Sequence, residues 1–154
     1  MVKSKQKQGK SNRARGKTFE LKVRAIYEKQ GFVVCKWANQ VDLIQNKLIP
    51  AKSKYNPFLK RVMNEGSGFP DFLIFKPGAE TEVIGVECKL GKYLDKVEKA
   101  KVKWLLEKQI FKEIIVVYRQ GHTIIYNHIE LDSLLDKPLP KALESGSEAI
   151  QEKA

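Results

Sequence analysis

Two carboxylates and a lysine lie on neighbouring strand-like runs of this 154-residue chain. Asp71 opens the apolar run 72–75, and after a turn a second run, 83–90, carries Glu87 and Lys89. Side chains alternate between the two faces of a strand, so Glu87 and Lys89 share one face. If Asp71 opens its own strand on that face, two carboxylates and an ammonium meet at one point. Such a group suits Mg²⁺ and a phosphodiester.

The chemistry follows from the residue types. A hard divalent cation takes carboxylate and carbonyl oxygens, keeps several waters and completes its shell with substrate phosphate. Asp71, Glu87 and the backbone carbonyl of Cys88 are the predicted ligands of Mg²⁺, for which Mn²⁺ can substitute. Lys89 is predicted to orient or deprotonate the attacking water and to offset negative charge in the transition state.

A less specific interpretation stands beside this one. In a chain that is 31% charged, an Asp followed by Glu-x-Lys also arises by chance. The strand context favours a role, because burying Glu87 and Lys89 among apolar neighbours is costly unless they pair or bind something. The alternative is a non-catalytic, basic nucleic-acid-binding protein in which the carboxylates are structural.

Asp71, Glu87 and Lys89 in this strand context resemble the PD-(D/E)xK nuclease superfamily. Segment 16–32 looks like the first helix of the branch that contains archaeal Holliday junction resolvases, where Glu20 occupies the place of a glutamate near the active site. Gly68-Phe69-Pro70-Asp71 and Trp37-Ala38-Asn39 are similar to virus-type replication-repair nuclease domains. The resemblance covers roughly residues 16–119.

This resemblance implies an α/β, restriction-endonuclease-like core in the order helix, three strands, helix, strand, with a central mixed sheet of four to five strands flanked by helices. It implies a metal-dependent deoxyribonuclease that hydrolyses phosphodiester bonds of linear duplex or branched DNA. Glu20 would then hold a second metal or a metal-bound water. Lys101 matches a Gln or Lys that relatives carry on the second helix, with Glu98 as the alternative. Junction resolvases work as two-fold dimers, so a homodimer is part of this expectation.

Hydrophobic periodicity predicts the remaining elements. Phe19, Val23 and Tyr27 form the apolar stripe of a first helix that stops at Gly31. A second helix is predicted over 94–109, with Asp95 as N-cap and one face formed by Val97, Lys101, Trp104 and Leu105. The predicted strands are 32–37, 71–75, 83–90, 113–118 and 123–126, followed by one or two helical turns over 130–135. Segment 40–67 has no clear pattern, and so long an insertion is more often functional than filler.

Charge is distributed unevenly along the chain, whose formal net charge is +11. Residues 1–15 are predicted to form a basic, flexible arm, 16–137 a single nuclease domain and 138–154 a polar, mobile tail. Such a basic excess suits a phosphate backbone. The candidate nucleic-acid contacts are Lys10, Arg13, Arg15, Lys17, Lys52, Lys54, Lys60 and Arg61. The aromatic side chains of Tyr55, Phe58 and Tyr93 could stack on bases, but each is expected to pack within the protein.

Composition argues against several other classes. Cys35 and Cys88 lie on strand patterns and are expected to be buried free thiols, with no ligand spacing for zinc. No apolar run approaches the length of a membrane span, and the first residues do not resemble a signal peptide. The expected protein is soluble and intracellular, in the cytoplasm of a prokaryotic cell or a virus-infected host cell.

Overall fold

The computed structural model describes residues 5–65, 68–78, 80–91 and 93–135. The predicted tail at 138–154 lies outside these residues. The elements in chain order are α1 (Lys5–Lys29), β1 (Val33–Lys36), β2 (Asn39–Asp42), β3 (Lys47–Pro50), β4 (Lys52–Asn56), β5 (Arg61–Glu65), β6 (Phe72–Phe75), β7 (Ile84–Lys89), α2 (Lys96–Glu107), β8 (Glu113–Gln120), β9 (Thr123–Glu130) and α3 (Leu131–Leu135).

The main sheet has five strands in the order β1-β6-β7-β8-β9. The pair β7–β8 is parallel, and the other three neighbouring pairs are antiparallel. A parallel pair needs a crossover, which α2 supplies between β7 and β8. The predicted α/β class with a mixed sheet of four to five strands is therefore confirmed.

Each face of this sheet packs against a different helix. Phe19, Val23 and Tyr27 of α1 pack with Val86 and Val117 on one face. On the other face, the buried α2 residues Val102, Leu105 and Leu106 pack with Ile114 and Val116 of β8. The alternation along β7 and β8 thus divides the core into two layers. It also turns Glu87 away from the layer that holds Val86.

Helix α1 begins at Lys5, well before the predicted start at Gly16, so residues 5–15 are helical. The packed turns around Phe19 and Val23 already meet the cost of helix nucleation. Extension through Lys, Gln, Arg and Ala then adds residues with high helix propensity. The helix ends at Lys29, and Gly31 has φ 86°, so the predicted stop is confirmed.

The predicted N-cap of α2 is confirmed, and the predicted apolar stripe is confirmed at Leu105, which is buried, but wrong at Val97. The Asp95 side chain accepts a hydrogen bond from the Glu98 N–H, and the Glu98 side chain accepts one from the Asp95 N–H. Val97 is 56% exposed. The buried face runs through Val102 and Leu105, and Glu98 precedes Val102 by one helical turn on that face.

Segment 40–67 contains two β-hairpins, β2–β3 and β4–β5, as far as it is described. Val41 is buried against the α2 side of the core, and Asn46 accepts a hydrogen bond from the Trp104 indole of α2. The first hairpin is thereby attached to α2. The sequence did not reveal these strands because they are short and lack a clean alternation of apolar and polar residues.

Two glycines allow the chain around Asp71 to approach its neighbours closely. A Cβ at Gly68 would lie 2.1 Å from the Trp37 carbonyl oxygen. A Cβ at Gly85 would lie 2.8 Å from Cγ of Pro70. Since neither contact tolerates a side chain, these glycines let the start of β6 lie directly against β1 and β7.

The two cysteines differ in their surroundings. Cys35 is exposed, so the prediction that it is buried is wrong. The reason is that β1 is an edge strand on which only Val34 is buried. Cys88 is partly buried and packs against the α1 side of the core, as its place in the alternation predicted. Within the described ranges, no helix is both long and apolar enough to cross a membrane.

Candidate active site

Strands β6 and β7 stop pairing next to Asp71. Their last backbone pair is Phe72 with Val86. Beyond it the Cys88 N–H donates a hydrogen bond of 2.7 Å to Oδ2 of Asp71, so a side chain takes the place of a strand partner. In an extended strand the N–H and C=O of one residue point to the same side. The Cys88 carbonyl therefore faces the side on which Asp71 lies.

Glu87 is the one buried charged residue among the described residues, with 6% of its surface exposed. Its Oε1 lies 3.4 Å from Nζ of Lys89. Its Oε2 is buried and has no hydrogen-bond partner in the described part of the chain. A buried carboxylate oxygen without a partner costs the desolvation free energy of that oxygen, and a bound cation would repay it.

Lys89 is held between two carboxylates. Its ammonium pairs with Glu98 of α2 as well as with Glu87. Glu98 also accepts the Asp95 N–H at the start of the helix, through its other oxygen at 2.9 Å. The N-terminal turn of α2 therefore fixes the position of Lys89, and Glu98 is the α2 residue that reaches the site.

Burial and neighbouring carboxylates disfavour the charged forms of the two acids. Burial raises the pKa of Asp71, and the charge of Glu20 adds to this, whereas the hydrogen bond from the Cys88 N–H and the charge of Lys89 lower it. Burial and the charge of Asp71 raise the pKa of Glu87, and Lys89 opposes both. For Lys89, burial lowers the pKa, but the hydrogen bond to Glu98 and the charge of Glu87 outweigh it, so its pKa lies above the usual value. Lys89 is consequently an ammonium at neutral pH, suited to donating hydrogen bonds and not to removing a proton.

Glu20 approaches Asp71 from α1. Both line a small cavity of about 160 Å³ whose other charged residues are Lys17, Arg24 and Lys36. Burial raises the pKa of Glu20, while Lys36 and Lys17 lower it in part. The predicted juxtaposition of helix one with Asp71 is present, and three cations surround these two acids.

Lys101 has a different environment from the one predicted. Its Nζ donates to Oε1 of Gln40 at 2.9 Å and lies 5.7 Å from the ring centroid of Phe69. These contacts join α2 to β2 and to the segment before Asp71. Lys101 thus supports the neighbourhood of the site, whereas the direct α2 contact with Lys89 comes from Glu98.

A larger cleft of about 660 Å³ lies between α1 and the end of β7. Leu90, the residue that follows β7, lines it together with α1 residues between Ser11 and Lys22 and with the β8–β9 turn. Its basic residues are Arg15, Lys22 and Arg119, and Ser11 and Thr18 add hydroxyls. No acidic residue belongs to this lining. We call it the basic cleft.

Lys22 and Arg119 are the residues of this cleft that sequence reasoning missed. Lys22 follows Arg15 by seven residues, so it lies on the same helix face and was detectable once the helix was extended. Arg119 is brought there by the pairing of β8 with β9, for which the sequence contains no local signal.

The other predicted basic contacts are distributed over several surfaces. Lys17 lines the small cavity and Arg15 the basic cleft. Lys10, Arg13 and Lys60 are exposed. The side chains of Lys52, Lys54 and Arg61 lie outside the described part of the structure.

The donor set fits a hard cation that keeps much of its water. No three His, Cys, Asp or Glu side chains come together as a metal-binding group in the described ranges. Asp71, Glu87 and the Cys88 carbonyl would be the protein ligands of such a cation. Mg²⁺ is typically bound by one or two carboxylates together with water and substrate phosphate.

If Glu87 is a metal ligand, Glu87→Gln should raise the melting temperature of the metal-free protein and remove the further rise caused by Mg²⁺. In chelator-treated protein, at a pH above the raised Glu87 pKa of about 8, the variant should melt about 2–6 °C higher, because a buried charge is removed while the shape is kept. Mg²⁺ should raise the melting temperature of the wild type by preferential binding to the folded state, and should have little effect on the variant. Differential scanning fluorimetry measures both.

The matched control is Glu107→Gln, which changes the same residue type at an exposed position of α2. It should leave both melting temperatures unchanged. An equal Mg²⁺-induced shift in wild type and Glu87→Gln would contradict the assignment of Glu87 as a ligand.

Comparisons of this chain with protein-family models, with curated proteins and with solved structures found no match.

Proposed function

We propose that this protein is a Mg²⁺-dependent deoxyribonuclease of the PD-(D/E)xK kind. The observation that carries the proposal is the buried Glu87, one oxygen of which has no partner among the described residues. Glu87 precedes Cys88 on β7, and the Cys88 N–H donates to the Asp71 side chain. A merely structural acid would be expected to have both oxygens satisfied. The proposal is also supported by the element order: when the inserted hairpins β2–β3 and β4–β5 are left out, α1, β1, β6, β7, α2 and β8 follow the order that the resemblance implies.

Each residue has a distinct part in the proposed hydrolysis. Asp71, Glu87 and the Cys88 carbonyl would hold the metal, which polarises the phosphate and acidifies water when bound. Lys89 donates to negative charge that develops on the phosphoryl oxygens. Glu98 keeps the ammonium in place, so little reorganisation is needed as the reaction proceeds. Glu20 accepts a hydrogen bond from water on the α1 side.

The basic cleft supports DNA as the substrate. Its lining includes Leu90, the residue after Lys89, and presents three cations and two hydroxyls without an acidic residue. Phosphate oxygens accept from all five groups, and cationic contacts of this type carry no sequence information. The cleft therefore provides a path for the backbone that flanks the bond to be cut.

The experiment that tests this function is incubation of the protein with end-labelled DNA in Mg²⁺ or Mn²⁺ and with chelator. Linear duplex, four-way junction, flap and single strand are compared. Cleavage that requires the metal is expected. Binding to all of them without a cut in either metal would instead support the non-catalytic alternative, which the same cleft also suits.

A double variant tests the basic cleft. Lys22→Gln/Arg119→Gln should weaken duplex binding and flatten the slope of log K against log salt by about 2, since each phosphate contact contributes about 0.9. The metal site is untouched, so the Mg²⁺-induced melting shift should persist. Fluorescence anisotropy at several salt concentrations measures the slope.

Lys29→Gln is the control, because Lys29 is an exposed lysine at the other end of α1. The control removes one cation and the double variant removes two, so the change in slope is compared per cation removed. A slope that is unchanged in the double variant would show that the cleft does not contact phosphates.

A further inference from the structure

The exposed apolar side chains of this protein include the tips of both inserted hairpins. Phe58 in the β4–β5 loop is 94% exposed, and Ile44 in the β2–β3 loop is 97% exposed. Tyr55, at the end of β4, is 58% exposed. The expectation that Tyr55 and Phe58 pack within the protein is therefore wrong.

The two loops have the same construction. Each spans four residues between a closing strand pair, Asp42 with Lys47 in one and Asn56 with Arg61 in the other. In the second loop, Oδ1 of Asn56 accepts the N–H groups of Phe58 and Leu59 at 3.0 and 3.1 Å. The loop backbone is thereby ordered with Phe58 pointing into solvent.

The hairpins differ in charge. Residues 39–50 contain one acid, Asp42, and one base, Lys47, and so sum to zero. Residues 52–65 contain four basic residues and the single acid Glu65, which makes a net charge of +3. An apolar tip on a basic ribbon suits a partner that combines a polyanionic surface with an apolar interior.

The β4–β5 hairpin is attached close to the proposed cleavage site. The Ala51 N–H bonds to the Ala38 carbonyl at its start, and the Phe69 N–H bonds to the Asn39 carbonyl just after its end. Asp71 follows two residues after Phe69. Five residues of strand span about 17 Å, which is enough to carry the tip to the floor of the DNA minor groove, about 7.5 Å deep.

We propose that the β4–β5 hairpin is a DNA wedge that inserts Phe58, supported by Leu59, between base pairs beside the bond to be cut. Proteins that bend or open duplexes insert apolar side chains of this kind, including Pro, Phe and Leu, at unstacked steps. Unstacking costs least at a mispaired or branched step. The substrate class is therefore duplex DNA interrupted by a mispair or a branch. This inference rests on the proposed function only in taking DNA as the substrate.

The test measures binding without cleavage, in chelator, using a duplex that carries 2-aminopurine beside a mispair and a fully paired duplex of the same length. Wild-type protein should raise 2-aminopurine fluorescence at the mispair. Phe58→Ala should abolish this rise in fluorescence. It should also lower the affinity for mispaired DNA about 10-fold or more, the order expected for one lost stacking contact. Binding to paired duplex should change less than about 2-fold, because phosphate contacts dominate there.

Ile44→Ala is the matched control, since it truncates an equally exposed residue at the same loop position of the neutral hairpin. Both variants should keep the wild-type melting temperature. A Phe58→Ala protein that retains the fluorescence rise, or an Ile44→Ala protein that loses it equally, would overturn the wedge. Binding of wild-type protein to anionic vesicles that Phe58→Ala abolishes, while DNA binding is the same in both proteins, would overturn the wedge in favour of a lipid surface.

The wedge and the nuclease activity fail separately in these experiments. A fluorescence rise that depends on Phe58 without metal-dependent cleavage would keep the wedge and remove the nuclease. Metal-dependent cleavage of mispaired and paired DNA that Phe58→Ala leaves unchanged would keep the nuclease and remove the wedge.

Discussion

Asp71→Asn and Glu87→Gln should each reduce DNA cleavage by about 10³-fold or more, while DNA affinity stays the same or rises. Both changes keep side-chain shape but remove a charged oxygen donor, and loss of one of the two carboxylate ligands weakens binding of the metal and shifts its position relative to the phosphate. Affinity is maintained because each variant also removes a negative charge near the phosphates. Single-turnover cleavage with excess enzyme, beside anisotropy titrations, separates the two effects.

Glu107→Gln serves again as the control and should cut at the wild-type rate. Asp71→Asn needs one further check, because Asp71 accepts the Cys88 N–H that joins β6 to β7. The Asn carbonyl oxygen can accept the same bond, so the melting temperature should fall little. Wild-type cleavage by either site variant, with the fold intact, would exclude these two acids as metal ligands.

Lys89→Met should lower turnover by about 10²–10³-fold while the Mg²⁺-induced rise in melting temperature persists. The loss reflects a donor aimed at charge that develops in the transition state, for which removal of one group typically has this cost. Methionine keeps the apolar stem of the side chain and removes only the ammonium. Metal binding should persist because the ammonium is not a ligand.

Two other lysines of α2 calibrate this result. Lys103→Met, at an exposed position beside Glu107, should leave turnover unchanged. Lys101→Met should cost less than Lys89→Met, since the described contacts of Lys101 are with Gln40 and Phe69. Loss of the Mg²⁺-induced melting shift in Lys89→Met would instead show that this lysine is needed to form the metal site. An equal loss of turnover in Lys103→Met would show that the loss comes from the change in net charge and not from the position of Lys89.

Features encoded by neighbouring residues were predictable from the sequence. Alternation placed Glu87 and Lys89 on one face of β7, opposite the core residue Val86. The N-cap chemistry of Asp95 and the stop at Gly31 were read from single residues and their immediate successors. These signals are local because strand period, helix period and capping depend on the nearest few residues.

The tertiary structure decided which side chains from distant segments meet. Glu98, and not Lys101, reaches Lys89 because capping at Asp95 and burial at Val102 set the rotation of α2. Arg119 joins Arg15 and Lys22 only through the pairing of β8 with β9 and the packing of α1 on the sheet. Phe58, expected to pack within the protein, is exposed because its hairpin carries the tip away from both core layers. Strand register and helix rotation arise from long-range packing, and one-dimensional periodicity carries no information about either.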